Sequence, residues 1–200
     1  MREEFADFIH NKLPKDALLI TCGLPATWKT ETSAEIAKIM GYPILRTDLV
    51  RLEVLKDLDI FDNRVASNMD NRKRVYDEVF GRANEIIKRG NGLIIDATFV
   101  VAVLRRRAAK IACANKKMFV ILETSCPREV SIARIMRRTR ENYESNALTE
   151  QAYVNNEKKW EKIDISSIKK EYPGIAILHL TVDTTRDEPE GWYVVGSSKL

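Results

Sequence analysis

The sequence predicts an α/β fold, a mostly parallel sheet covered by helices on both faces. Two observations carry this. Short apolar runs alternate with longer amphipathic stretches along the chain, and the runs are continuous rather than alternating, the pattern of strands buried on both sides. The 200 residues are 44% hydrophobic and 31% charged, with eight Gly and six Pro, which excludes collagen-like, low-complexity and wholly disordered chains.

Ala17 to Cys22 (ALLITC) reads as the first buried strand, followed by a loop and a helix from about Lys29 to Met40. Ile36, Ile39 and Met40 share one face of that helix, and Gly41 caps it. Pro43 to Thr47 is a second strand. Asp48 to about Asn71 is polar and irregular, a short helix with a substrate-facing loop. A helix over residues 72–88 places Val75, Val79, Ala83, Ile86 and Ile87 near one face. Gly90 and Gly92 bracket the turn into a third strand, Leu93 to Ile95. The next helix carries Leu104, Ala108, Ile111 and Ala112. Met118 to Leu122 and Ile175 to Leu180 are the fourth and fifth strands. Between them lie a helix starting near Pro127, a charged stretch over residues 137–150 and a helix ending about Lys162. Residues 1–183 form the expected domain, and the polar segment 184–200 the expected C-terminal tail, which Trp192 and Tyr193 could dock.

The 33 Lys and Arg outnumber the 29 Asp and Glu, a net charge of +4 that suits an anionic ligand and falls short of a nucleic-acid footprint. Arg105, Arg106 and Arg107 occupy successive positions, cannot share a helix face and read as surface charge. Cys22, Cys113 and Cys126 are odd in number and have no zinc spacing, as expected of a reducing cytoplasm. Two histidines supply no metal cluster. No apolar run approaches the ~20 residues that span a bilayer, so no membrane partner is expected.

The strongest chemical signal is Gly23-Leu24-Pro25-Ala26-Thr27-Trp28-Lys29-Thr30, between the first strand and the first helix. It resembles the phosphate-binding loop G-x-x-x-x-G-K-[ST], with Trp28 at the second glycine. Gly23, Pro25, Ala26, Thr27 and Trp28, with Lys29 and Thr30, are the expected nucleotide-binding positions, the loop's main-chain N–H groups pointing inward around a phosphate and aided by the positive end of the helix. Lys29 supplies charge to the outer phosphates and Thr30 a hydroxyl for Mg²⁺. The bland alternative is a helix start with solvent-facing Lys29 and Thr30. A non-glycine residue with positive φ at position 28 would cost about 1–2 kcal/mol.

Thr47-Asp48-Leu49-Val50-Arg51 puts a carboxylate at the end of the second strand, where it can accept the proton of an attacking hydroxyl. Arg51, one turn on, can bind an anionic part of the acceptor; the alternative is Asp48 as a plain helix cap. Asp96 ends the third strand and can hold the metal through water, with Thr98 toward the acceptor. Arg134, Arg137, Arg138 and Arg140 precede Asn142 to Ala147. They could neutralise charge on a transferring phosphoryl group, or decorate a solvated face.

In this order the motifs resemble the P-loop kinase group of polynucleotide 5′-hydroxyl kinases, gluconate kinases, chloramphenicol phosphotransferases and zeta toxins. The resemblance covers Ala17 to Trp160 and rests on GLPATWKT, TDLVR, VYDEVFGRANEIIKRG, GLIIDAT and FVILETSCPREVSIARIMRR. It implies a three-layer P-loop NTPase fold with a five-stranded sheet and a small helical lid at about residues 137–150. It also implies ATP and Mg²⁺ as cofactors, Lys29 and Thr30 handling ATP·Mg, Asp48 as general base and Arg134 or Arg138 as lid arginines. The expected activity is transfer of the γ-phosphoryl group to a hydroxyl of a small molecule or a nucleic-acid end. The alternative is a catalytically impaired nucleotide-binding protein acting as a regulatory or interaction module. Trp28 departs from the pattern, as does Ser145-Asn146 where the group often has Ser-Asp.

Overall fold

The computed structural model describes residues 2–90, 92–139 and 147–200. Among them the strands are β1 (Glu3–Glu4), β2 (Ala17–Cys22), β3 (Ile44–Arg46), β4 (Leu93–Asp96), β5 (Met118–Ser125), β6 (Ile177–Asp183) and β7 (Tyr193–Lys199). The helices are α1 (Phe5–Lys12), α2 (Lys29–Met40), α3 (Thr47–Val54), α4 (Asn63–Ser67), α5 (Met69–Arg89), α6 (Ala102–Ala114), α7 (Arg128–Met136), α8 (Glu150–Lys159) and α9 (Ile165–Glu171).

The strands form one sheet in the order β1-β7-β6-β5-β2-β4-β3. The five from β6 to β3 run parallel, as expected of the five-stranded core. Two more strands extend it. β7 runs antiparallel to β6 and β1 antiparallel to β7, so the segment after residue 183, set apart as a tail, adds a strand to the sheet. Its polar composition hid it because, of its seven residues, only Val194 is buried.

β2 is buried at all six positions, and its side chains divide by the period-2 rule. Leu18 and Ile20 join Ile95, Phe119 and Ile121 under α5, α6 and α9. Leu19 joins Ile94, Val120 and Leu180 under α1 and α2. A helix on each face is what turns an apolar run into a central strand. Gly41 ends α2 in the left-handed conformation, φ 71°, and its N–H donates to Ala37 O at 2.8 Å. Asn68 starts α5 by accepting from the N–H groups of Asp70 and Asn71 at 2.9 and 3.0 Å.

Arg105 corrects the surface-charge expectation. It is 1% exposed and donates to the carbonyls of Phe99, Glu161 and Lys162 at 2.7, 2.7 and 3.2 Å. Its neighbours Arg106 and Arg107 do form the expected exposed ion pairs, with Glu171 and Asp77. Three successive arginines point three ways, and Arg105 falls on the buried face of α6 with Leu104, Ala108, Ala109 and Ala112. Half of the lid expected at 137–150, including Arg140 and Asn142 to Asn146, lies outside the described residues. Among the described residues no helix is long and apolar enough to cross a membrane.

The chain ends meet at Trp192, which is 1% exposed, packs edge-on to Phe5 at 5.8 Å and donates its indole N–H to Arg186 O at 3.0 Å. Trp192→Ala removes a fully buried indole and is expected to destabilise the fold by about 3–5 kcal/mol. Urea unfolding measures this; a loss below about 1 kcal/mol would mean that the C-terminal strand unfolds separately from the sheet.

Candidate active site

Parallel strands deliver their carboxyl ends to one edge of the sheet, and the loops after β2, β3 and β4 open there onto a shared cavity of about 1220 Å³. β2 leaves through Gly23, φ 151°, whose N–H donates to Thr98 O at 3.2 Å. A Cβ at Gly23 would lie 2.7 Å from the carbonyl and hydroxyl oxygens of Thr124 and from the Thr27 hydroxyl, so the turn admits only glycine.

The loop carbonyls are held from behind. Leu24 O accepts from Thr27 Oγ1 at 2.9 Å, Ala26 O from Arg134 Nη1 at 3.2 Å, and Thr27 O from Thr184 Oγ1 at 3.0 Å. In a trans peptide the N–H points opposite the carbonyl, so the Thr27 and Trp28 amides face the other way. Ala26 and Trp28 are left-handed, φ 62° and 56°. Such alternation gathers amides into an anion nest. The free N–H groups and positive end of α2 lie beside it. Trp28 therefore carries the strain expected of a side chain at the loop's second glycine. Its ring is engaged by the Arg134 guanidinium at 4.6 Å and donates to Asp187 at 3.3 Å.

Lys29 folds over the loop, its ammonium donating to Leu24 O at 2.6 Å. Burial lowers its pKa to about 8, opposed chiefly by the nearby Asp96 charge. Thr30 donates to Asp96 Oδ2 at 2.6 Å and Thr21 to Asp96 Oδ1 at 3.1 Å. Asp96 is 7% exposed; burial pushes its carboxyl above the ordinary carboxylate range, against the pull of those hydroxyls and of Lys29. Among the described residues no group of three or more His, Cys, Asp or Glu could hold a metal. The Thr30 hydroxyl with one Asp96 oxygen is instead a hard, two-donor set, which fits a Mg²⁺ that brings its own phosphate and water ligands.

β3 turns directly into α3 at the facing wall. Helix α3 begins at Thr47 with no side-chain cap, and the Asp48 carboxylate instead accepts from Arg51 Nη1 in an ion pair. Asp48 and Arg51 thus line the cavity together, with Thr98 beside them and Arg138 across it. Arg138 donates to Ala147 O at 3.2 Å, and its charge helps lower the Lys29 pKa.

Of the expected residues, Pro25, Ala26, Trp28, Lys29, Thr30, Asp48, Arg51, Asp96, Thr98 and Arg138 line this one cavity. Gly23 and Thr27 sit behind the loop and shape it. Arg134 does not reach the cavity wall. It is 6% exposed, with its guanidinium donating to Ala26 O, to Asp187 and to the carbonyls of Thr184, Thr185 and Arg186. That corrects the lid-arginine expectation: an arginine whose donors are all spent on fixed acceptors has none for a transferring group. Thr47, Arg46, Arg72 and Tyr76 are among the lining residues to which the sequence reading gave no role. Thr47 stood inside the TDLVR motif unnoticed, Arg46 closes β3, and Arg72 and Tyr76 lie on the inner face of α5. The helical spacing of Arg72 with Val75 and Tyr76 was the available signal.

A family model described as an AAA domain matches residues 18–159. No curated protein matches the sequence. Among solved structures, a sugar kinase from Janibacter sp. HTCC2649 superposes with a TM-score of 0.61 at 14% identity, over 88% of each chain. A gluconokinase from Sinorhizobium meliloti 1021 gives 0.58 at 13% identity, over 86% of this chain and 85% of that one. A structure of the PezAT chromosomal toxin-antitoxin system of Streptococcus pneumoniae gives 0.55 at 14% identity, over 97% of this chain and 80% of that one. These likenesses are of fold, and with the family match they bear out the P-loop kinase resemblance carried by the motifs.

The depressed Lys29 pKa has a consequence for stability. Between about 8 in the fold and the ordinary lysine value of 10.5, the folded chain binds fewer protons than the unfolded one, so stability rises with pH across that window. The slope is expected to vanish in Lys29→Met, measured by urea unfolding from pH 7.5 to 10.5. A wild-type slope in the variant would assign the effect to another group.

Proposed function

The chain belongs to this AAA-domain family, and from that premise we propose that it is an ATP-dependent phosphotransferase, moving the γ-phosphoryl group to a hydroxyl of a small molecule or a nucleic-acid end. One observation carries the reading. An anion nest with Lys29 and the Thr30–Asp96 pair forms one wall of a cavity whose facing wall presents the Asp48–Arg51 pair. Donor and acceptor sites in a single chamber are what an in-line transfer needs.

In this reading the loop amides and Lys29 bind the β- and γ-phosphates. To reach them the Lys29 ammonium exchanges Leu24 O for phosphate oxygen, an acceptor that also restores its proton against the effect of burial. Thr30 and Asp96 would hold Mg²⁺, which when bound neutralises charge on the phosphate oxygens. The acceptor oxygen bonds to the γ-phosphorus while the bond to the β,γ-bridging oxygen breaks. ADP departs, and the hydroxyl proton passes to the Asp48 carboxylate. Arg51 keeps that carboxylate oriented. Arg138, on the cavity wall, offsets charge on the transferring group. Arg134 supports the loop from behind.

Trp28 favours a second reading, nucleotide binding without efficient turnover. A tryptophan in the left-handed region stores about 1–2 kcal/mol of strain, and its ring ties the loop to Arg134 and Asp187. If Trp28→Gly raises kcat by tenfold or so while nucleotide affinity holds, the natural site is an impaired one.

Lys29→Ala is expected to lower phosphoryl transfer by about 10²–10³-fold with the fold intact by circular dichroism. Asp48→Asn is expected to lower kcat by about 10²–10⁴-fold and leave ATP affinity unchanged. Product formation over a panel of hydroxyl acceptors, beside ATP titration calorimetry, measures both. Full activity in the Lys29 variant would end the kinase reading, and equal loss of binding and turnover in the Asp48 variant would make Asp48 a structural support.

A further inference from the structure

We propose that the cavity wall formed by α3 and α5 is an anion subsite that seats a carboxylate or phosphate group carried by the acceptor, with Arg72 as its principal cation and Thr47 as a hydroxyl donor. The inference rests on the kinase reading for the word acceptor; the subsite itself rests on four observations.

The first is the charge of the cavity. Six cations line it, against the three carboxylates of Glu31, Asp48 and Asp96. A triphosphate on the loop engages Lys29, and Arg138 lies on that side. The second is distance. β3 stands two strands from β2, about 10 Å at the usual strand spacing. Arg51 and Arg72, on helices following β3, therefore belong to the far wall and not to the phosphate loop.

The third observation is that Arg72 is half-buried on that wall, and its guanidinium has no ion pair or hydrogen bond among the described residues. Arg51, in contrast, is already committed to Asp48. Tyr76, one turn along α5, lies close enough to both arginines that their charges offset part of the upward push of burial on its phenol. The two cations therefore act on one small region. The fourth is Thr47. It is 2% exposed, lines the same cavity, and its Oγ1 has no hydrogen-bond partner among the described residues. A buried hydroxyl left unmatched costs about 1–3 kcal/mol, and a ligand oxygen removes that cost.

An unpaired guanidinium and an unmatched hydroxyl on one wall, with Tyr76 and Phe61 as an apolar floor, complement an anionic head joined to a carbon skeleton. The neutral form of the same alcohol offers Arg72 nothing. The arrangement therefore selects acceptors by charge before chemistry begins.

The test uses side-chain and amide NMR signals of the full chain with the loop filled by Mg²⁺ and a non-hydrolysable ATP analogue. Inorganic phosphate, acetate and glycerol are titrated separately, reading Arg72 Nε–Hε, Arg51 Nε–Hε and the Thr47 amide. Saturable shifts with phosphate or acetate, and none with glycerol, are expected. The stronger anion identifies the head group. In Arg72→Gln the same anion, read at Arg51 and Thr47, is expected to bind at least about tenfold more weakly, and in Thr47→Val to a smaller degree, with analogue affinity unchanged in both. Absence of shifts with either anion, or wild-type affinity in Arg72→Gln, overturns the subsite. Failure of the kinase reading shows elsewhere, as an analogue that leaves the Lys29 and Thr30 amides unmoved, and the anion titration still reports on Arg72.

Discussion

The close approach of Gly23 to Thr124 is the constraint on which the active-site end of the sheet depends. With room for no Cβ there, the chain leaving β2 is pressed against β5, and Thr27 closes the contact with a hydroxyl 2.7 Å from that of Thr124. The loop is thereby turned so that its carbonyls meet protein donors and its amides meet the cavity. Lys29 and Thr30 follow at the only place from which one can cover the nest and the other can reach Asp96. No strong bond is involved. Three polar groups at van der Waals limits set the direction of a whole helix.

Asp96 then links the two walls. It pairs in register with Arg46, so β3 and everything after it are positioned relative to the same residue that bonds Thr21 and Thr30. The wall built by the loop after β2 and the wall built by α3 and α5 share this one strand end. A carboxylate kept partly against its preference for water, and held by two hydroxyls, is a fixed reference between them, where a loop residue would drift. The cost of its burial is offset by hydroxyl bonds and by Lys29.

The central strands, α2 and the motifs at strand ends were legible because apolar continuity and spacing are local properties. The bounds of α2 came out as read, and the catalytic candidates after β2, β3 and β4 converge because a parallel sheet brings such positions together whatever the intervening sequence. What could not be read depends on partners distant in the chain. Arg105 and Arg134 carry the same charge as their neighbours, and acceptors that include the distant carbonyls of residues 161–162 and 184–186 make them interior. Strand β7 is polar along one side and needs β6 to exist. Arg72 shares a helical spacing with Val75 and Tyr76, but that its guanidinium has no partner among the described residues is a property no sequence pattern encodes.

Arg134 joins Ala26 O near the start of the chain to Thr184 O near its end. During synthesis the loop after β2 emerges long before the segment that clamps it. Its final curvature must therefore wait until β6 has joined the sheet and the chain beyond has come round, a long-range closure that belongs to the late, slow stage of folding. A chain made only as far as α6 would carry the GLPATWKT motif without the arginine and the distant carbonyls that fix its curvature.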